Sequence, residues 1–257
     1  MLSKEAEKFL SSDILEGMTS ISALLNSSCN NDRKIERIWI DSTKKRSKAA
    51  EIVFLTAKSK EMDFPVEFVN AEKIDALAIG NTHGGILAFC STRTIPKLSE
   101  TAIKPNGFYV FLEGIEDPYN FGYSIRSLYA AGVDGIVLPE RNWMNSAGVV
   151  ARSSAGASEL IPLYTTDHDS LISLFKNAGY QILCAGIRDS VSIYEEVFHF
   201  PVLLIVGGEK RGISRNLLDQ ADQIVRIEYG RSFRGSLSAA SAATVMAFEL
   251  FRQNKNT

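Results

Sequence analysis

A chain of 257 residues, 45% of them hydrophobic, holds enough apolar material for one large packed domain or two ordinary ones. A formal net charge of -2 excludes a histone-like polycation, yet it leaves room for RNA, because phosphate attraction follows where Lys and Arg cluster. Three widely spaced cysteines, Cys29, Cys90 and Cys184, lack any C-x-x-C spacing, which points to reduced thiols in a cytoplasmic protein.

From Leu10 to about Thr94 helices and strands alternate. "SDILEGMTSISALLNS" reads as a helix with Asp13 as its cap and Ile14, Ile21, Leu24 and Leu25 on one face. "IERIWI" and "FPVEFVN" alternate apolar and polar residues as half-buried strands do, and "GILAFCS" reads as a fully buried strand. "TRTIPKLSETAIKPNG" is polar, rich in turn formers and carries Pro96 and Pro105, so it is the linker candidate. The expected division is residues 1–96, a linker at 97–106, and residues 107–257. Neither half is basic overall.

Beyond the linker come "FYVFLEGI" (strand), "GYSIRSLYAAG" (helix), "GIVLP" (strand), "SLISLFKNAG" (helix), "YQILCAGI" and "PVLLIVGG" (strands), "ISRNLLDQA" (helix), "IVRIEY" (strand) and "SAASAATVMAFELFRQ" (helix). Near-continuous apolar strands bounded by helices predict an α/β domain with a mostly parallel sheet covered on both faces. Ligands of such sheets collect beyond the carboxyl ends of the strands. The longest aliphatic run, "PVLLIVGG", is too short to span a bilayer.

Three loops after strands stand out. The first, "EDPYNFG", is followed by Arg126 on a helix; singly, an Asn before a helix is most often a cap and an Arg most often solvated. The second follows "PVLLIV", where Gly207 and Gly208 allow a flat ligand to lie on bare backbone. Gly207 and Gly212 have phosphate-loop spacing, but Ile213 stands where that loop needs its lysine, and no G-x-G-x-x-G is present. The third, "IEYGRSFRGSLSAASAATVMAFELF", runs into a helix whose first turns are nearly all Ala and Ser, permitting very close packing or simply an Ala-rich helix.

Together these stretches resemble the SPOUT superfamily, and within it the TrmH/SpoU group that methylates ribose 2′-hydroxyls of tRNA and ribosomal RNA. "DPYNFGYSIRSLYAAGV", "LLIVGGEKRGIS" and "IEYGRSFRGSLSAASAA" resemble the group's three motifs in order, and "GVVARSSAGASELIPLY" the stretch between the first two. "ILEGMTSISALLNS" and "GNTHGGILAFCS" resemble its small N-terminal α/β RNA-binding module, of a kind found in ribosomal proteins. Two basic clusters fit such a module, Arg33, Lys34 and Arg37, then Lys44, Lys45, Arg46 and Lys48, although a charge run is more often a solvated face.

The resemblance implies a deep trefoil knot in the C-terminal domain, S-adenosyl-L-methionine as cofactor, a homodimer through that domain, and RNA as partner, with rRNA favoured over tRNA. It implies catalytic roles for Arg126, Asn120, Glu209 and Ser236. It places the cofactor on Gly207, Ile227 and Leu237, with Ala185, Gly186, Gly208, Tyr229 and Ser238 nearby. No metal and no membrane contact are implied, and His83, His168 and His199 show no ligand spacing. The third motif departs from the group's usual Ser-Leu-Asn: here it is Ser236-Leu237-Ser238, after an apparently lengthened "GRSFRG" loop. Rival readings are a non-catalytic RNA-binding relative and a nucleotide-binding α/β enzyme that does not act on RNA.

Overall fold

The computed structural model describes residues 13–140 and 146–255. In chain order the first elements are β1 (Ile14–Glu16), α1 (Gly17–Leu25), β2 (Ile35–Asp41), α2 (Ala49–Met62), β3 (Val66–Val69), α3 (Ala71–Asp75) and β4 (Ile86–Cys90). There follow β5 (Phe108–Glu113), α4 (Pro118–Ala130), β6 (Gly135–Pro139), α5 (Ala147–Ser153), α6 (Ala157–Leu160), β7 (Leu163–Thr166), α7 (His168–Asn177) and β8 (Gln181–Ala185). The last are β9 (Val191–Ser192), β10 (Val202–Gly207), α8 (Arg215–Gln220), β11 (Gln223–Arg226) and α9 (Ala239–Asn254). Among the described residues no helix is long and apolar enough to cross a membrane.

Two compact units result, and the division does not simply follow the chain: α5 and α6, up to Leu160, belong with the N-terminal residues up to Thr94. This first unit has a four-stranded sheet in the order β1-β4-β2-β3, with only the β2–β3 pair parallel. Its core joins Leu15, Ile21, Leu24 and Leu25 to Ile38, Ile40, Leu55, Ile86 and Ala151. The expected first helix is shorter than the sequence suggested. Ile14–Glu16 pair with Phe89 to Leu87 as an edge strand, and the helix begins only at Gly17, at φ 74°. Asp13 therefore caps no helix; its carboxylate accepts from the Thr92 hydroxyl at 3.1 Å. Leu10 and Ser12, where that reading began, lie outside the described residues.

The unit's polar centre is Glu159, whose carboxylate pairs with Arg33 at 3.4 Å and accepts from the Asn31 amide at 2.7 Å. Arg33 and Glu159 side chains are 0% and 3% exposed, so the pair anchors α6 with almost no water to screen it. Arg93 donates to the neighbouring Ser158 carbonyl.

The second unit is built on a seven-stranded sheet in the order β7-β6-β5-β10-β8-β11-β9, parallel throughout. β5 and β10 lie side by side in register from Phe108–Val202 to Glu113–Gly207, and all but their last residues are buried. Full burial on both faces is why these strands are unbroken apolar runs. Their carboxyl ends finish together, which fixes where a ligand site forms. The expected linker is not slack: Leu98 donates to the Thr165 carbonyl at 2.9 Å, and the Tyr109 hydroxyl to the Ala102 carbonyl at 2.7 Å.

Candidate active site

Three chain segments meet at the ends of β5, β10 and β8. After β10, the turn from Gly208 to Gly212 closes through Gly212 N–H on the Gly208 carbonyl at 2.9 Å. A Cβ on Gly207 would lie 2.3 Å from the Gly212 carbonyl carbon, and one on Gly208 2.2 Å from the Gly114 oxygen. Both approaches are backbone to backbone, so nothing can swing aside; the two glycines are there because the chain segments touch.

The turn after β5 is shorter than expected. Asp117 caps α4, its carboxylate accepting from Asn120 N–H at 2.8 Å, and Pro118 occupies the first helical position, where a missing N–H costs nothing. Asn120 thus sits within the first helical turn and is not the cap. Arg126 lies further along the same helix and is exposed. Glu113, the last residue of β5, accepts from Ser214 N–H at 3.0 Å and pairs with His168 at 3.1 Å, tying the second loop to the sheet.

The third loop leaves β11 and is pinned where it returns: the Tyr229 hydroxyl accepts from Leu237 N–H at 3.1 Å. Ser238 then caps α9, its hydroxyl accepting from Ser241 N–H at 3.2 Å. Ala239, Ala240, Ala243 and Ala247 form the buried side of α9, and their short side chains let the helix seat closely.

Between the segments after β8, β10 and β11 and the start of α9 lies a cavity of about 1200 Å³. Nine of the twelve residues expected from the sequence line it: Ala185, Gly186, Gly207, Gly208, Glu209, Ile227, Tyr229, Ser236 and Leu237. Asn120, Arg126 and Ser238 are not on its wall within a single chain. The sequence reading missed the stretch after β8, Ile187 to Asp189, and the apolar floor of Ile213, Leu218, Ile224 and Met246. Side chains of both signs line it: Arg188, Arg215, Arg226 and Arg234 together with Asp189, Glu209, Asp219 and Glu228. Arg226 is held in place by Glu228 at 3.1 Å and by the Ser190 carbonyl. In the sheet beside it, burial pushes the Cys184 thiol up to about 12, which keeps it protonated and unreactive.

A parallel sheet with a glycine-lined cavity beyond its central strand ends defines an α/β enzyme that binds a cofactor or nucleotide there. Its family is fixed by comparison: residues 107–248 match the SpoU rRNA Methylase family, and residues 14–96 match RNA 2′-O ribose methyltransferase substrate binding. The chain belongs to the SpoU rRNA methylase family and is an RNA methyltransferase. It is 29% identical over 225 residues to a Staphylococcus saprophyticus protein assigned to the TrmH family of tRNA/rRNA methyltransferases, covering 85% of this chain and 88% of that one. It is 25% identical over 249 residues to the 23S rRNA (guanosine-2′-O-)-methyltransferase RlmB of Shewanella oneidensis, covering 95% and 98%. In fold it is similar to an AdoMet-bound rRNA methyltransferase from Sinorhizobium meliloti, with TM-score 0.81 and 23% identity, covering 98% of this chain and 95% of that one.

Proposed function

We propose that the protein transfers a methyl group from S-adenosyl-L-methionine to a ribose 2′-hydroxyl of RNA, with ribosomal RNA the favoured substrate, in the cytoplasm. One observation carries the reading: nine residues separated by up to 52 positions in sequence, chosen for this chemistry, line one cavity. The donor fits that wall. Gly186, Gly207 and Gly208 bring bare backbone to it, Ile227 and Leu237 offer apolar contact, and Asp189, Glu209 and Glu228 would supply carboxylates to a cationic sulfonium. At about 1200 Å³ the cavity exceeds the roughly 300–1000 Å³ of most small-molecule sites, leaving room for a nucleotide beside the donor.

When bound, the donor supplies an electrophilic methyl group. The transfer is an in-line displacement and needs no covalent nucleophile, so the chain's own tasks are positioning and charge. Ser236 orients the attacking hydroxyl and Glu209 orders the second loop. Arg126, always charged, would stabilise the alkoxide that develops as the hydroxyl gives up its proton to solvent, and Asn120 would orient Arg126 or the substrate.

Tyr119, Tyr123 and Arg126 fall at spacings of four and three on α4, which places them on one exposed face; Tyr123 is 51% exposed. α9, which packs against α4, exposes Phe248 and Phe251. A homodimer formed through these aromatics covers them and carries Arg126 to the partner's cavity, which accounts for its absence from the wall of its own. The same reading includes a trefoil knot, in which α9 and the loop before it thread past the Gly207–Gly212 turn. Titration calorimetry with S-adenosyl-L-methionine tests the reading: micromolar binding is expected, and no binding sinks it. Mapping ribose methylation in RNA from cells with and without the gene then identifies the nucleotide.

A further inference from the structure

The third loop carries an exposed aromatic and two arginines. Between Gly230 and Gly235 stand Arg231, Phe233 and Arg234, all exposed. A single exposed apolar side chain is ordinary, but three features set Phe233 apart. First, the loop is closed at its base, where Leu237 N–H donates to the Tyr229 hydroxyl at 3.1 Å, and Phe233 and Arg234 line the cavity. Second, the ring packs against a residue without a side chain. A Cβ on Gly235 would stand 2.5 Å from Phe233 Cζ and 2.9 Å from Cε1, so only glycine lets the ring rest there. Tyr229 lies beside it, with 6.1 Å between ring centroids and the planes tilted by 52°, and Phe233 remains 62% exposed. Third, it is flanked by two guanidinium groups, and among the described residues neither Arg231 nor Arg234 makes an ion pair.

A supported aromatic face between two cations suits a single-stranded RNA: the ring stacks an unpaired base, and the arginines hold the phosphates on either side. We propose that Phe233, with Arg231 and Arg234, is a stacking platform that docks an unpaired base of the RNA next to the methylated nucleotide. The inference rests on the RNA-methyltransferase reading above and adds to it a site for the neighbouring base. It gives the lengthened loop, part of which lines the cavity, a role toward the RNA.

The test uses the full chain and a fluorescein-labelled single-stranded RNA of about 12 nucleotides, within the usual span of such sites. Binding is followed by anisotropy, and S-adenosyl-L-methionine affinity by calorimetry, for the wild type, Phe233→Ala, Phe233→Trp and the Arg231→Ala/Arg234→Ala pair. Base stacking is worth about 1–3 kcal/mol per base, so Phe233→Ala should weaken RNA binding roughly 5- to 150-fold and Phe233→Trp should restore it. The arginine pair should lower the slope of log affinity against log salt by about 1.4, the release of two single-strand phosphates. Phe233 and Arg234 also line the cavity, so in each variant the loss of RNA affinity should exceed any loss of donor affinity. RNA binding by Phe233→Ala equal to wild type overturns the proposal, as does a donor affinity that falls in step with RNA affinity, which would place the ring on the cofactor. Failure of the wild type to bind donor overturns the methyltransferase reading instead, and is scored separately.

Discussion

Gly208 and Gly114 touch through backbone alone: a Cβ on Gly208 would stand 2.2 Å from the Gly114 carbonyl oxygen. Gly114 itself adopts φ 79° directly after β5, so the turn cannot retreat without disturbing the two central strands. Gly208→Ala should therefore destabilise the protein by about 1–3 kcal/mol, the usual cost of overpacking a rigid site. Urea unfolding checks this, and a midpoint equal to wild type would show that the two turns can part.

Ser238 makes an ordinary helix cap out of the departure in the third motif. Its hydroxyl accepts from Ser241 N–H, an office that Asn fills equally well. Ser238→Ala should cost about 1 kcal/mol of stability, while Ser238→Asn should stay within a few tenths. Thermal unfolding of the two variants distinguishes a cap from a ligand contact: a Ser238→Ala protein of unchanged stability but weakened donor binding would mean that the hydroxyl serves the cofactor.

Much of this architecture was legible because burial leaves a pattern. β5 and β10 are buried on both faces, so they appear as apolar runs, and the glycines after β10 and the alanines opening α9 mark close contacts that any other side chain would block. What escaped has equally physical reasons. β1 is three residues long, and Ile14 keeps helical spacing with Ile21 only because a strand and a helix happen to follow one another. α5 and α6 were not read as helices, because "ARSSAGASEL" is short and rich in turn formers; their place in the first unit depends on Glu159, whose partner Arg33 lies 126 residues away. The cavity floor at Ile213, Leu218 and Ile224 reads as ordinary core, since apolar lining and apolar packing use the same residues.

Cys184 ties stability to alkaline pH. Burial holds its thiol neutral in the folded state up to about 12, against an ordinary value of 9.0. A folded value above the unfolded one means that the stabilising contribution is complete below pH 9 and is lost as pH climbs toward 12, because the unfolded thiol ionises first. Across that window wild type should lose stability faster than Cys184→Ala, by up to about 1.4 kcal/mol per pH unit. Urea unfolding at pH 8, 9.5 and 10.5 measures the difference; parallel curves would mean that the thiol ionises as freely folded as unfolded.

Arg126 separates positioning of the donor from catalysis of transfer. It is exposed on α4 and absent from the cavity wall of its own chain, so its removal should leave donor affinity within about twofold of wild type. If it stabilises the developing alkoxide, Arg126→Ala should lower methyl transfer about 10²- to 10³-fold, the usual effect of deleting one such donor. Lysine keeps the charge but not the planar fork, so Arg126→Lys should recover only part of the rate. Mixing chains locates the site of action: if Arg126 serves the partner's cavity, Arg126→Ala chains combined with chains carrying Leu237→Arg, expected to block the donor site, should regain activity that neither shows alone. Mixtures as inactive as their parents would return Arg126 to its own chain and remove the shared-site reading, because a cavity served in cis gains nothing from a partner.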